Sequence, residues 1–286
     1  MSGAEKLAGQ TPAGLRQVPV RRHDTASQQD HAADYLALEE PLEIRLAWPG
    51  LATPKPIAVT MRTPGDDAHL VRGFLLTEGV VGAESAIVRV TEGAGEQANR
   101  VTVHLHTAPK AALERLERHF FVSSSCGICG KASIDAIRVA KVFEQGPESD
   151  ELRISAQALL SLPRQLSEQQ KLFHDSGSLH AAALFAADGR ISRVCEDVGR
   201  HNALDKLLGH GLIDGELPLA GRGVLVSGRA SFELVQKAHM AGCRLLAAVG
   251  APSSLAVELA WDTGMTLVGF LRDGRFNVYT GPDRVC

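Results

Sequence analysis

The sequence predicts a layered α/β protein, a three-layer α/β/α sheet domain preceded by a smaller N-terminal α/β roll. Three observations carry this expectation. Aliphatic runs at 223–226, 245–249 and 266–271 alternate with helical segments at 199–208, 231–240 and 254–261, and strands joined through single helices need crossovers that leave them parallel in one sheet with helices on its faces. The first half instead reads β-β-α-β-β, the order of a small roll in which one helix covers one face of a sheet. A chain of 286 residues, 44% hydrophobic, can build cores of that size.

Residues 1–33 mix Gly, Gln, Ser, Asp, Arg and His without sustained periodicity and read as a mobile tail. The roll follows over 34–119. Leu42-Glu43-Ile44-Arg45-Leu46 alternates as a strand does, 57–61 less cleanly, and Pro49-Gly50 marks the turn between them. Asp66 or Asp67 can cap a helix whose Leu70, Val71, Phe74 and Leu75 recur at helical spacing, with Gly79 as its stop. Strands near 86–90 and 100–106 complete the roll, with His104 and His106 facing solvent opposite Val101, Val103 and Leu105. A charged helix at 108–119 leads to the second unit, residues 120–286. There a helix carrying Ile134, Ile137 and Val139, one near 155–162 ending at Pro163, and another at 167–174 precede a hairpin that turns at Asp188-Gly189. The alternating strands and helices come after it, with a last strand at 275–279.

Composition narrows the function. Thirty Lys and Arg against 33 Asp and Glu give a net charge of −3, so no overall basic field argues for nucleic acid. Five irregularly spaced cysteines do not make a disulfide framework. No apolar block follows the first charges, and no apolar run has membrane-spanning length, so a cytoplasmic protein is expected.

The chemistry is expected in Ser123-Ser124-Ser125-Cys126-Gly127-Ile128-Cys129-Gly130-Lys131. Cys126 and Cys129 stand in a stretch with almost no apolar bulk, and Gly127 and Gly130 let the backbone turn so that both sulfurs face one side. Lys131 and a following helix start would favour the thiolate, the reactive form. Zinc would need scattered partners such as His180, Cys195, His201 or Cys243, because no second ligand pair lies downstream. A thioredoxin-like dithiol should follow a strand, whereas the preceding residues read as a charged helix.

A ligand crevice is expected beyond the carboxyl ends of the parallel strands. Ser227-Gly228-Arg229 and Gly250-Ala251-Pro252-Ser253-Ser254 each offer glycine, hydroxyls and free helix N–H groups, which suit a phosphate. The helix at 199–208 buries Ala203, Leu204, Leu207 and Leu208 and should present His201, Asn202, Asp205 and Lys206 on the opposite face. Arg200, Arg229 and Lys237 are the expected cations.

With these residues in view, the sequence resembles the formate dehydrogenase accessory sulfurtransferases of the FdhD type. The resemblance rests on Ser-Cys-Gly-Ile-Cys-Gly at 125–130, His-Ala-Ala-Ala-Leu at 180–184, Glu-Asp-Val-Gly-Arg-His-Asn-Ala-Leu-Asp-Lys at 196–206, Ser-Gly-Arg-Ala-Ser-Phe-Glu at 227–233 and Ala-Pro-Ser-Ser-Leu-Ala at 251–256. It covers roughly residues 36–281. It implies a cytidine-deaminase-like sheet domain, often dimeric. The implied role is a persulfide relay: Cys126 and Cys129 take sulfur from a cysteine desulfurase and pass it to the molybdenum (or tungsten) bis-pyranopterin guanine dinucleotide destined for formate dehydrogenase. The crevice would hold that client cofactor, and no resident metal or permanent cofactor is expected. The zinc signature of true deaminases is absent from 199–208 and 231–240, so deamination is not expected. The alternatives are a non-catalytic cofactor chaperone whose cysteines grip metal, and a dithiol oxidoreductase.

Overall fold

The computed structural model describes residues 12–23, 28–119, 152–272 and 274–286. Strands β1 (Leu15–His23) and β2 (Gln28–Ala37) pair antiparallel. The mobile tail expected over 1–33 is corrected there. Its polar composition hides a Leu15, Val18, Val20 pattern, and a partner strand satisfies the backbone. Gly14 anchors the first strand, its Cα side facing Thr63 and Leu172.

The roll forms as read. β3 (Glu40–Ala47), β4 (Lys55–Arg62), α1 (Asp67–Thr77), β5 (Ile87–Glu92) and β6 (Arg100–Leu105) give a four-stranded sheet in the order β4-β3-β6-β5. The alternating residues Leu42, Ile44, Leu46, Val101, Val103 and Leu105 point under α1 and are buried. α2 (Lys110–His119) follows, and residues 120–151, including the expected cysteine loop and the helix after it, lie outside the described residues.

The second sheet has the order β12-β11-β10-β9-β7-β8. It comprises β7 (His180–Ala186), β8 (Ile191–Asp197), β9 (Arg222–Val226), β10 (Leu245–Ala248), β11 (Thr266–Arg272) and β12 (Arg275–Thr280). β9, β10 and β11 are parallel, as crossover helices demand, while β12 returns antiparallel through a short turn. Side-chain alternation divides this sheet into two faces. Ala182, Leu184, Val224, Val226, Leu246, Ala248 and Leu267 face one side, where α5 (Arg200–Ile213), α6 (Phe232–Met240) and α7 (Ser254–Asp262) supply Leu204, Val235 and Ala260 to the same core. Ala181, Ala183, Phe185, Leu225, Leu245, Ala247 and Val268 face the other, under α3 (Ala156–Gln169). Three layers result.

α3 does not end at Pro163. Ser155 caps it, its Oγ accepting from the Ala158 N–H at 3.1 Å, and the helix runs through the proline. A helix-interior proline costs about 3 kcal/mol. Burial of Leu159, Leu162 and Leu166 at helical spacing, each contributing about 1.5–3 kcal/mol, outweighs that cost. α4 (Lys171–Ser176) is correspondingly short.

The two halves share one hydrophobic core, because α1 lies directly on α5. Gly73 and Gly209 allow this approach. A Cβ at Gly73 would sit 1.8 Å from the Asp205 carbonyl oxygen, and one at Gly209 would sit 1.9 Å from that of His69. The face of α5 expected to carry ligand-binding groups is covered: Asn202, Asp205 and Lys206 are buried beneath the roll.

Candidate functional site: a cationic cleft beside a buried polar joint

The loops after β9 and β10 run side by side. Ala230 N–H donates to the Ala251 carbonyl at 3.2 Å, Ser253 N–H to that of Ala230 at 3.0 Å, and Gly250 N–H to that of Gly228 at 2.9 Å. They bring the N-termini of α6 and α7 to one place. The resulting cleft, about 410 Å³, is lined by Arg200, Arg229, Ser231, Phe232, Pro252, Ser253, Ser254 and Leu255 among others. Two arginines and two helix starts give it positive potential. Nε of Arg200 is buried without a hydrogen-bond partner among the described residues. A buried donor left in this state costs free energy unless something accepts from it. His180, nearby, is held below the ordinary histidine range by burial and then by the charges of Arg200 and His201.

Of the residues read from the sequence, Arg200, Arg229, Pro252, Ser253 and Ser254 come together in this cleft. Ser253 also caps α7, accepting from the Ala256 N–H at 3.3 Å. Ser227 and Gly228 stand behind it: Ser227 Oγ accepts from the Ala181 N–H at 2.9 Å and so ties the loop to β7.

A second cleft, about 320 Å³, opens between β4, α1, α5 and α6, and its lining includes Thr60, His201, Asn202, Asp205, Glu233 and Lys237. His201 sits between the two clefts, its Nε2 2.9 Å from Glu233 Oε2 and 3.4 Å from Ser231 Oγ. Ser231, Phe232 and Glu233 were missed as site residues. Their signal was present, since they immediately follow Arg229-Ala230 at a helix start.

The other expected ligand groups are committed elsewhere. Lys237 Nζ donates to both carboxylate oxygens of Asp205 at 3.0 and 2.9 Å and to Thr77 Oγ1 at 2.8 Å. Burial pushes the Asp205 carboxyl up. The Asp205 carboxylate, working against desolvation of the ammonium, holds Lys237 above its usual value and protonated. Lys206 Nζ lies 2.8 Å from Asp197 Oδ2 and donates to the carbonyls of Thr63 and Glu196. Asn202 Nδ2 donates to the Met61 carbonyl at 2.7 Å, and its Oδ1 accepts from Thr60 Oγ1 at 3.1 Å. Glu196 accepts from the N–H groups of Leu172 and Phe173. Asp205, Lys206 and Lys237, expected as ligand contacts, are thus engaged in internal ion pairs, with Asp205 and Lys237 at the wall of the second cleft. These residues, with Asn202, stitch the roll to the sheet domain, and the charges that read as a binding face are satisfied internally.

Cys126 and Cys129 lie outside the described residues. The thiol of Cys195 is pushed up to about 12 and that of Cys243 to about 11, in both cases chiefly by burial. Neither is set up as a nucleophile or a metal ligand, which removes both from the scattered zinc set.

The FdhD/NarQ family model matches residues 37–286. The chain is 50% identical over 279 residues to the sulfur carrier protein FdhD of Mycolicibacterium paratuberculosis, covering 94% of this chain and 99% of that one. It is 50% identical over 258 residues to that of Streptomyces coelicolor, covering 88% and 89%. The relative of that name in Sulfurisphaera tokodaii is 39% identical over 264 residues, with 92% and 95% covered. The fold matches a crystal structure described as a formate dehydrogenase accessory protein from Desulfotalea psychrophila, with a TM-score of 0.72 at 22% identity, over 95% of this chain and 99% of that one. Matched over both its halves, from the end of the opening strand pair to residue 286, the chain belongs to the FdhD/NarQ family.

Proposed function

We propose that the protein is a sulfur carrier for the maturation of formate dehydrogenase, acting as a persulfide sulfurtransferase in the cytoplasm. The thiolate of Cys126 or Cys129 attacks the terminal sulfur of a desulfurase persulfide, and the donor cysteine leaves as its thiolate. The sulfur then passes to a molybdenum or tungsten bis-pyranopterin guanine dinucleotide, the substrate of the relay, on its way to the formate dehydrogenase apoenzyme. The observation that carries the cofactor half of this reading is the buried, unpartnered Arg200 Nε in a cleft shared with Arg229 and two helix N-termini. A diphosphate supplies the acceptors that such a cleft lacks. The names of the relatives support the sulfur half. A homodimer is part of the same reading.

No helix among the described residues is long and apolar enough to cross a membrane. Labelled sulfur passed from a cysteine desulfurase should appear as a mass adduct on a peptide containing Cys126 or Cys129. Bound zinc in place of the adduct would favour a metal-gripping chaperone, and a clean disulfide would favour an oxidoreductase. Guanosine diphosphate, standing for one arm of the cofactor, should bind in the cleft. Calorimetry should show Arg229→Ala weakening it roughly tenfold or more, the loss of a charge-assisted hydrogen bond, while Lys110→Ala leaves it unchanged. Equal affinities of the two variants would remove the loop after β9 from the site.

A further inference from the structure

We propose that Asp66, His69 and His210 form a binding site for a divalent transition-metal ion of the zinc class at the joint between α1 and α5. This site is separate from both clefts and from the paired cysteines. Asp66 is the N-cap of α1, His69 lies in its first turn, and His210 lies in the last turn of α5. The close approach of the helices at Gly209, against the His69 carbonyl, brings the three together. One ligand atom from each lies within 4.8 Å of the others. Asp66 Oδ1 is 3.4 Å from His69 Nδ1, and Oδ2 is 3.5 Å from His210 Nε2. Ligands held tetrahedrally at 2.0–2.1 Å from a zinc ion are about 3.3–3.4 Å apart.

Two further features point the same way. Asp66 occupies the N-cap position of α1 but its side chain makes no capping bond, and its backbone is left-handed at φ 58°, ψ 25°. An N-cap aspartate ordinarily accepts from the first-turn amides; here the carboxylate is turned toward the imidazoles instead. Among the described residues Nδ1 of His69 is buried with no hydrogen-bond partner, although the carboxylate is only 3.4 Å away. The two rings stack, with centroids 3.5 Å apart and 9° between their planes, which a bound ion would have to change. The neighbouring cations do not oppose an incoming ion strongly, because Arg72 is paired with Glu84 and Lys206 with Asp197.

Two imidazoles and a carboxylate suit zinc or a similar late first-row ion and leave coordination positions open to water. Parallel rings aim their lone pairs side by side, so metal entry must fan them apart until both converge. The half-exposed Asp66 side chain is free to follow. Because the ligands come from both helices, the ion would clamp the roll to the sheet domain, and binding would raise thermal stability by an amount that grows with the logarithm of the ion concentration once the site is saturated.

The test uses the untagged full chain carrying Cys126→Ala and Cys129→Ala, so that the paired thiols cannot contribute. Zinc titration with a competing chelator should give one equivalent bound and a melting temperature that rises with zinc. Cobalt should give a ligand-field spectrum without thiolate charge transfer. His69→Gln and His210→Gln should each weaken zinc by more than about 100-fold, beyond the loss typical of an outer partner, with metal-free circular dichroism unchanged. Asp66→Asn, at a half-exposed position, gives the same reading if a histidine variant does not fold. Absence of zinc binding in the Cys126→Ala, Cys129→Ala protein, thiolate bands with cobalt, or unchanged affinity in these variants would overturn the site.

Discussion

Replacing Asp205 with alanine lowers the free energy of unfolding by about 3–5 kcal/mol, the loss expected when one partner of a buried ion pair is removed. The Lys237 ammonium is left with Thr77 Oγ1 at 2.8 Å and with Glu78, 3.7 Å away, in a position shielded from water. Thr77 also loses the acceptor to which its hydroxyl donates at 2.9 Å. For a domain whose total stability is about 5–15 kcal/mol, this approaches unfolding. Replacing both members of the pair, Asp205→Leu with Lys237→Met, should restore most of the loss, since well-packed apolar residues often substitute for a buried pair without penalty. Urea denaturation of the three proteins measures the effect. A loss below about 1 kcal/mol for Asp205→Ala would mean that water reaches the ammonium from the neighbouring cleft, and that Lys237 is available to a ligand after all.

The same residues show where sequence reading succeeds and where it stops. Period-two alternation identified β3 to β6 and helical spacing α1, because each buries one face, whereas the strands of the second sheet were read from short aliphatic runs and the Asp188-Gly189 turn, since its central strands are buried on both faces. The helix through Pro163 was not legible: a local breaker was overruled by three leucines whose packing partners lie on strands distant in sequence. The opening strand pair was missed because its polar positions outnumber its apolar ones. In the site, Arg200, Arg229 and Ser253 were legible from their places at the ends of strands and starts of helices, a rule of topology that needs no tertiary detail. Asp205 and Lys206 were not. A helix flanked on both sides by packed elements shows the same apolar stripe and polar remainder as one at the surface, and only the glycines at 73 and 209 hint that another helix covers the remainder.

Cys126→Ala and Cys129→Ala are each expected to reduce maturation of a formate dehydrogenase to background while leaving the melting curve of the protein in place. The size of the first effect follows from chemistry, since a relay that carries sulfur covalently has no slower route once the carrying sulfur is gone. The absence of the second is expected from composition: three serines precede Cys126 and glycines follow both cysteines, a setting with little apolar bulk for a cavity to form in, and the change in stability should stay within about 0.5 kcal/mol. Cys195 and Cys243 serve as the contrast. Their thiols are pushed to about 12 and about 11, so near neutral pH they remain protonated and unreactive, and only as pH rises through those values does the thiolate form in the folded chain. Alanine at either position should cost stability through the cavity it leaves but should spare maturation per folded molecule. Maturation measured in cells depleted of the native protein, paired with melting curves of each purified variant, separates the two patterns. If Cys126→Ala or Cys129→Ala matured the enzyme normally, that cysteine would have no part in the relay. If either variant lost stability in step with activity, the pair would be structural and the sulfur would have to travel on another group.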